Sequence, residues 1–202
     1  MWYNILCPEV LLLHYIMNIF YLDSRPQQCA EQHCDKHVVK MILEYAQLLS
    51  TSHRVLDGVQ RTSLTESGRK HKTWTLEDRS LDGALYKATH MNHPSAIWAR
   101  QSYKNYEHLH ELFYHLCKEY TKRYGKVHKS EGLMGDLFAA PVNIDIQAPF
   151  TEPPPAMPDY CKVPGNSVES YRKYYINEKA YFAKWKTKEP QWFVEGLINA
   201  NV

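Results

Sequence analysis

The sequence predicts an all-α fold, one compact domain of about three main helices with a proline-rich irregular wrap, and three observations carry this. Two stretches, near residues 26–52 and 95–124, repeat apolar side chains at three- and four-residue intervals, and a shorter third follows at 167–186. Between the second and third, seven prolines fall within Gly132–Pro164, too many for regular helix. With 202 residues, 44% hydrophobic and 23% charged, the chain can bury one sizeable core, and no internal repeat suggests several.

The opening sixteen residues are apolar but lack a positive n-region, and Pro8, Glu9 and His14 interrupt them, so they read neither as a signal sequence nor as a span. Met17-Asn-Ile-Phe-Tyr-Leu-Asp23 reads as the start of an ordered domain. Residues 1–16 are therefore expected to be an N-terminal extension, and 17–202 a single helical domain. Five cysteines, Cys7, Cys29, Cys34, Cys117 and Cys161, form no C-x-x-C pair, which favours a reducing, cytoplasmic setting.

The first helix is expected from Pro26 to Ser52, with Asp23 or Ser24 as its N-cap. Along it, His33, Lys36, His37, Lys40 and Glu44 fall on a polar stripe roughly 100° wide. Val38, Val39, Met41, Ile42, Leu43, Ala46, Leu48 and Leu49 fill the remaining arc, wider than the apolar face of a surface helix, which places this helix centrally. The stripe faces either open solvent or a cleft. In a cleft, two imidazoles, two amines and a carboxylate can transfer protons or form covalent intermediates. His33 and His37 have the i, i+4 spacing of metal ligands, but Lys36 and Lys40 would oppose a cation, so no metal and no other cofactor is expected.

Residues 57–72 are polar, without periodicity, and read as a loop. The second helix starts after His93-Pro94-Ser95 and ends at Tyr124-Gly125, where glycine suits a C-cap; Tyr106, Leu109, Phe113, Leu116 and Tyr120 should pack on the first helix. The third helix, Ser167 to Lys186, should turn Val168, Tyr171, Tyr175, Phe182 and Trp185 inward and leave Lys179, Lys184, Lys186 and Lys188 in solvent.

A formal charge of +2 does not by itself indicate nucleic acid, but Trp98–Lys129 holds seven Lys and Arg against three Glu, either a phosphate-facing strip or a solvated helix face. Just before a helix N-terminus, where an anion is welcome, His90, Asn92, His93, Trp98 and Arg100 can hydrogen-bond, stack or hold phosphate; in the structural alternative Asn92 and Ser95 cap the helix and Trp98 is core. No Walker loop, G-x-G-x-x-G or G-x-S-x-G occurs, which argues against P-loop kinases, dinucleotide enzymes and serine hydrolases.

Three pieces in order, Ala30-Glu31-Gln32-His33, Trp98 to Gly125 ending in Lys122-Arg123-Tyr124-Gly125, and Pro190-Gln-Trp192-Phe193, give the chain a resemblance to the phage pyrimidine-dimer DNA glycosylase family. They cover well under half of the chain. The block Cys34-Asp-Lys-His-Val-Val-Lys-Met-Ile-Leu-Glu44 is more closely similar to one shared by uncharacterised phage-encoded proteins. The resemblance implies removal of a base from duplex DNA by an amine that attacks the sugar C1′, forming a Schiff base that also permits strand cleavage, in a host-cell cytoplasm. The family uses an N-terminal α-amine and an Arg-Glu pair; here Asn18 follows Met17, and Val39 and Lys40 stand where that pair belongs. Physical reasoning supplies another mechanism. Lys40 or Lys36, lowered by burial and cationic neighbours, is the amine; Glu44 activates it or stabilises an oxocarbenium-like sugar; His33 and His37 carry protons or bind phosphate. Trp98 and Tyr124 would stack on an extruded nucleotide, with Lys126 and His128 on phosphate. The expected partners are DNA or nucleotides, without membrane or metal. The alternatives are an enzyme or binder of nucleotides or other phosphorylated small molecules, and a noncatalytic DNA-binding module.

Overall fold

The computed structural model describes residues 17–64, 67, 68 and 70–200; the expected extension, with Cys7, lies outside them. Residues 17–22 form an extended segment whose side chains are all buried. Arg25 and Pro26 then start α1 (Pro26–Gln32), so the N-cap is Arg25, while Asp23 Oδ1 accepts the Arg25 N–H at 3.0 Å.

The first helix is broken. At His33 and Cys34 the backbone becomes extended, and α2 (Asp35–Asp57) begins afresh. The break is held by Arg123, whose buried guanidinium donates to Glu31 O, His33 O, Asp35 Oδ1 and Glu119 Oε1 at 2.8–3.0 Å. Carbonyls at a helix end need such partners when water cannot reach them. Val38, Met41, Ile42, Tyr45, Ala46, Leu48 and Leu49 point inward, which makes α2 the central helix, but Val39 and Leu43 remain exposed.

The expected loop at 57–72 is instead a hairpin of β1 (Val59–Leu64) and β2 (Lys70–Thr75), antiparallel with Gln60 opposite Trp74 and Leu64 opposite Lys70. It springs from Gly58, where a Cβ would collide with the Arg54 carbonyl. The fold is thus mostly helical with a small two-stranded sheet. α3 (Arg79–Ala84) follows, capped by Asp78, which accepts from the Ser80 and Leu81 N–H groups.

The expected second helix is also divided, into α4 (Pro94–Ala99) and α5 (Tyr103–Tyr124), because Ser102 takes up the Asn105 N–H and begins a new helix. Gly125 ends α5 in the left-handed conformation, φ 64°. α5 packs on both α1 and α2 through Tyr106, Leu109, Phe113 and Leu116, with Tyr120 half-buried. Residues 134–158 are irregular as expected, and short 3₁₀ turns lie at Lys129–Leu133 and Asp159–Cys161.

α6 (Ser167–Tyr174) is shorter than the expected third helix and passes into a π turn at Tyr175–Lys179. Tyr171, Tyr175 and Trp185 are nonetheless buried, and α7 (Gln191–Ala200) closes the described chain with Phe193 inward. Among the described residues no helix is long and apolar enough to cross a membrane.

Candidate functional site

The break between α1 and α2 removes His33 from the stripe. His33 is fully buried: Nδ1 lies 2.7 Å from Cys29 O and Nε2 lies 3.1 Å from the Tyr45 hydroxyl, which also accepts the Phe20 N–H. Since a carbonyl only accepts, Nδ1 carries the hydrogen and Tyr45 donates to Nε2. Burial lowers the imidazole to about 4, so it is neutral. His37 is buried as well, bonded through Nδ1 to the Tyr175 hydroxyl and stacked on Phe20 at 4.1 Å; burial above all, with His33, Lys179 and Lys40 nearby, holds it well below its ordinary value. The expectation that both histidines face a ligand is corrected: each finds its partners in the core.

The remaining stripe residues open outward. Lys36 is exposed and sits over the Phe182 ring at 4.9 Å. Lys40, its side chain 53% exposed, places Nζ 3.1 Å from Glu44 Oε1, while the Glu44 side chain is only 13% exposed. The burial invoked to activate an amine therefore acts on the carboxylate and not on the lysines. Burial raises Glu44 against the downward pull of Lys40, His90 and the Asn18 backbone N–H. Its Oε2 is buried without a normal hydrogen-bond partner, and so is Oδ1 of neighbouring Asn18, itself 2% exposed. An exposed ammonium over a half-buried carboxylate, backed by unmet acceptors, is the most chemically poised arrangement on α2.

Two loops flank it. His90, exposed and at a left-handed φ of 45°, bonds Thr89 Oγ1 at 2.7 Å and acts electrostatically on Glu44. Asn92 is exposed beside it, and His93, not Asn92 or Ser95, caps α4 by accepting the Ser95 N–H. Towards the start of α2, half-buried Tyr124 donates to Asp35 O at 3.3 Å, and half-buried His128, edge-on to Tyr120 at 5.2 Å, bonds the Val39 backbone. Lys126 is exposed just beyond Gly125.

Trp98 and Arg100 do not join this surface. Trp98 is buried and donates to Thr151 O at 2.9 Å, which corrects its assignment as a stacking platform, and Arg100 donates back to Ala96 O at 2.7 Å. Asn18 is the site residue that sequence reasoning missed as a contact. Its position next to Met17 was the available signal, but nothing local tied it to Glu44.

Among the described residues no group of three or more His, Cys, Asp or Glu side chains is placed to hold a metal. Cys29, Cys34, Cys117 and Cys161 are buried free thiols. Comparison of the chain with protein-family models, curated proteins and solved structures returns no match.

Proposed function

We propose that this protein processes bases or abasic sites in DNA through a Schiff base formed by Lys40. The observation that carries the reading is the Lys40–Glu44 pair, an open amine 3.1 Å from a carboxylate whose burial raises its proton affinity. Glu44 takes a proton from the ammonium, the free amine adds to C1′ of an opened deoxyribose, and loss of water from the carbinolamine leaves an imine. On an intact nucleotide the same attack displaces the base, which departs with its bonding electrons and is protonated in turn. Lys36, packed over Phe182, and exposed Lys126 supply positive charge beside the strand, and exposed His90 offers it a ring N–H.

The full chain is incubated with duplexes carrying an abasic site, uracil, an ultraviolet dimer or a modified pyrimidine, with borohydride. A trapped adduct that persists in Lys36→Met and disappears in Lys40→Met supports the assignment; trapping that survives both changes refutes it. The exposure of both ammonium groups also suits a second reading, in which free nucleotides are held by Lys36, Lys40 and His90 without covalent chemistry. That reading predicts intact DNA and thermal stabilisation by nucleotides.

A further inference from the structure

We infer that the β1–β2 hairpin is a duplex-binding arm whose two-stranded ribbon enters the major groove. This rests on the reading of the protein as one that acts on DNA. Every residue of β1 is exposed, as are Lys70, His71 and Lys72 of β2. The foot is anchored by buried Trp74, whose carbonyl accepts from Arg54 at 2.9 Å, the one buried residue among those described in the two strands. A two-stranded ribbon with so little packing is marginal alone, so its retention calls for a partner.

The side chains say what kind. The two strands hold Arg61, Lys70 and Lys72 with no Asp or Glu, and the residues between them, 65–69, add one of each sign, Glu66 and Arg69. Strand register puts Thr62 and Lys72 together on one face with Leu64 and Lys70, and Arg61, Ser63 and His71 on the other. Cations along the ribbon suit phosphates on both walls of a groove, and Gln60, Thr62 and Ser63 can bond base edges. Six residues per strand extend about 20 Å, and the pair is narrow enough for a groove roughly 12 Å wide. Of the acidic residues at the foot, Asp57 accepts the Val142 and Asn143 N–H groups and Asp78 caps α3, while Glu77 stays exposed at the base, away from the strand cations towards the tip. Leu64 is the only large aliphatic side chain towards the tip, too little for insertion into a lipid surface.

The test measures binding of the full chain to an undamaged labelled duplex, the matching single strand and phosphatidylserine vesicles between 50 and 200 mM salt. The variants are Arg61→Gln/Lys70→Gln/Lys72→Gln and the charge-preserving Arg61→Lys/Lys70→Arg/Lys72→Arg. Neutralisation should weaken duplex binding at least about tenfold and flatten the log–log salt slope by roughly 2–3, with binding recovered in the charge-preserving variant. Equal affinity and slope for wild type and the neutralised variant overturn the arm, as does failure of wild type to bind duplex, equal preference for single strand, or binding to vesicles alone. Borohydride trapping on a three-nucleotide abasic oligomer, too short to engage the ribbon, is scored separately. Adduct formation on that oligomer together with duplex binding that ignores the hairpin variants leaves the Lys40 reading standing and removes the arm; hairpin-dependent duplex binding without adduct does the reverse.

Discussion

Arg54→Met should be among the most damaging single changes in this protein. The guanidinium is fully buried and donates five hydrogen bonds: to Tyr86 O at 2.5 Å, Trp74 O at 2.9 Å, Asp82 Oδ1 at 2.6 Å, and Asp82 O and Leu85 O, each at 2.8 Å. It thereby ties α2 to the hairpin foot and to the end of α3. Methionine fills much of the volume but strands the buried Trp74 and Leu85 carbonyls, each at about 1–3 kcal/mol, while the part-buried acceptors recover some water. Relief of arginine desolvation offsets part of this, leaving a net loss of about 4 kcal/mol, within the range for removing one partner of a buried charge. For a chain of this size that lowers Tm by roughly 8–16 °C. Thermal unfolding followed by circular dichroism measures it, and Trp74 fluorescence reports release of the hairpin foot. Arg54→Lys should recover only part, since three donors cannot meet five acceptors. A loss below about 1.5 kcal/mol refutes the view that this side chain clamps three elements.

Acid should destabilise the fold through its histidines. Burial holds His33 and His108 near 4 and His37 well below its ordinary value, whereas each titrates near 6.5 when unfolded. Between those values the unfolded chain binds protons the native one refuses, so stability falls as pH drops from about 6.5 towards 4. His108→Phe, placed among Tyr21, Trp98 and Phe150 where Nε2 has no partner, should remove up to about 2 kcal/mol of the loss between pH 7 and 5; an unchanged pH profile in urea titrations would count against it. Glu44→Gln should slow borohydride trapping on the order of a hundredfold while the melting temperature holds or rises, and an unchanged rate removes Glu44 from the chemistry. Gly58→Ala should cost about 1–3 kcal/mol through collision of its Cβ with Arg54 O, seen as a lower urea midpoint at constant m.

Features legible in the sequence are those with local causes. Gly125 ends α5 because a left-handed residue can close the helix whatever surrounds it, and the α5 core stripe follows from its own periodicity. The breaks had distant causes. The α1–α2 break is sealed by Arg123, 90 residues from His33, and no nearby signal announces it. The hairpin reads as loop because its strands are largely polar on both faces, leaving no alternation to detect, and among the described residues of β1 and β2 Trp74 alone is buried. The stripe fails in part for a similar reason. A histidine paired with Tyr45 or Tyr175 has the same sequence signature as one facing solvent, whereas Lys40 and Glu44, one helical turn apart, met as their spacing required.

The buried segment at residues 17–22 also sets a schedule for the ribosome. Phe20 rests on α2 but is enclosed by Tyr171, Tyr174 and Tyr175, and Leu22 O receives Arg172 Nε from 150 positions away. At the usual pace of translation, that distance separates the two halves of the contact by roughly 8–30 s. Throughout that interval the apolar 17–22 segment is made but only partly covered, which gives the nascent chain a window in which chaperone capture competes with aggregation.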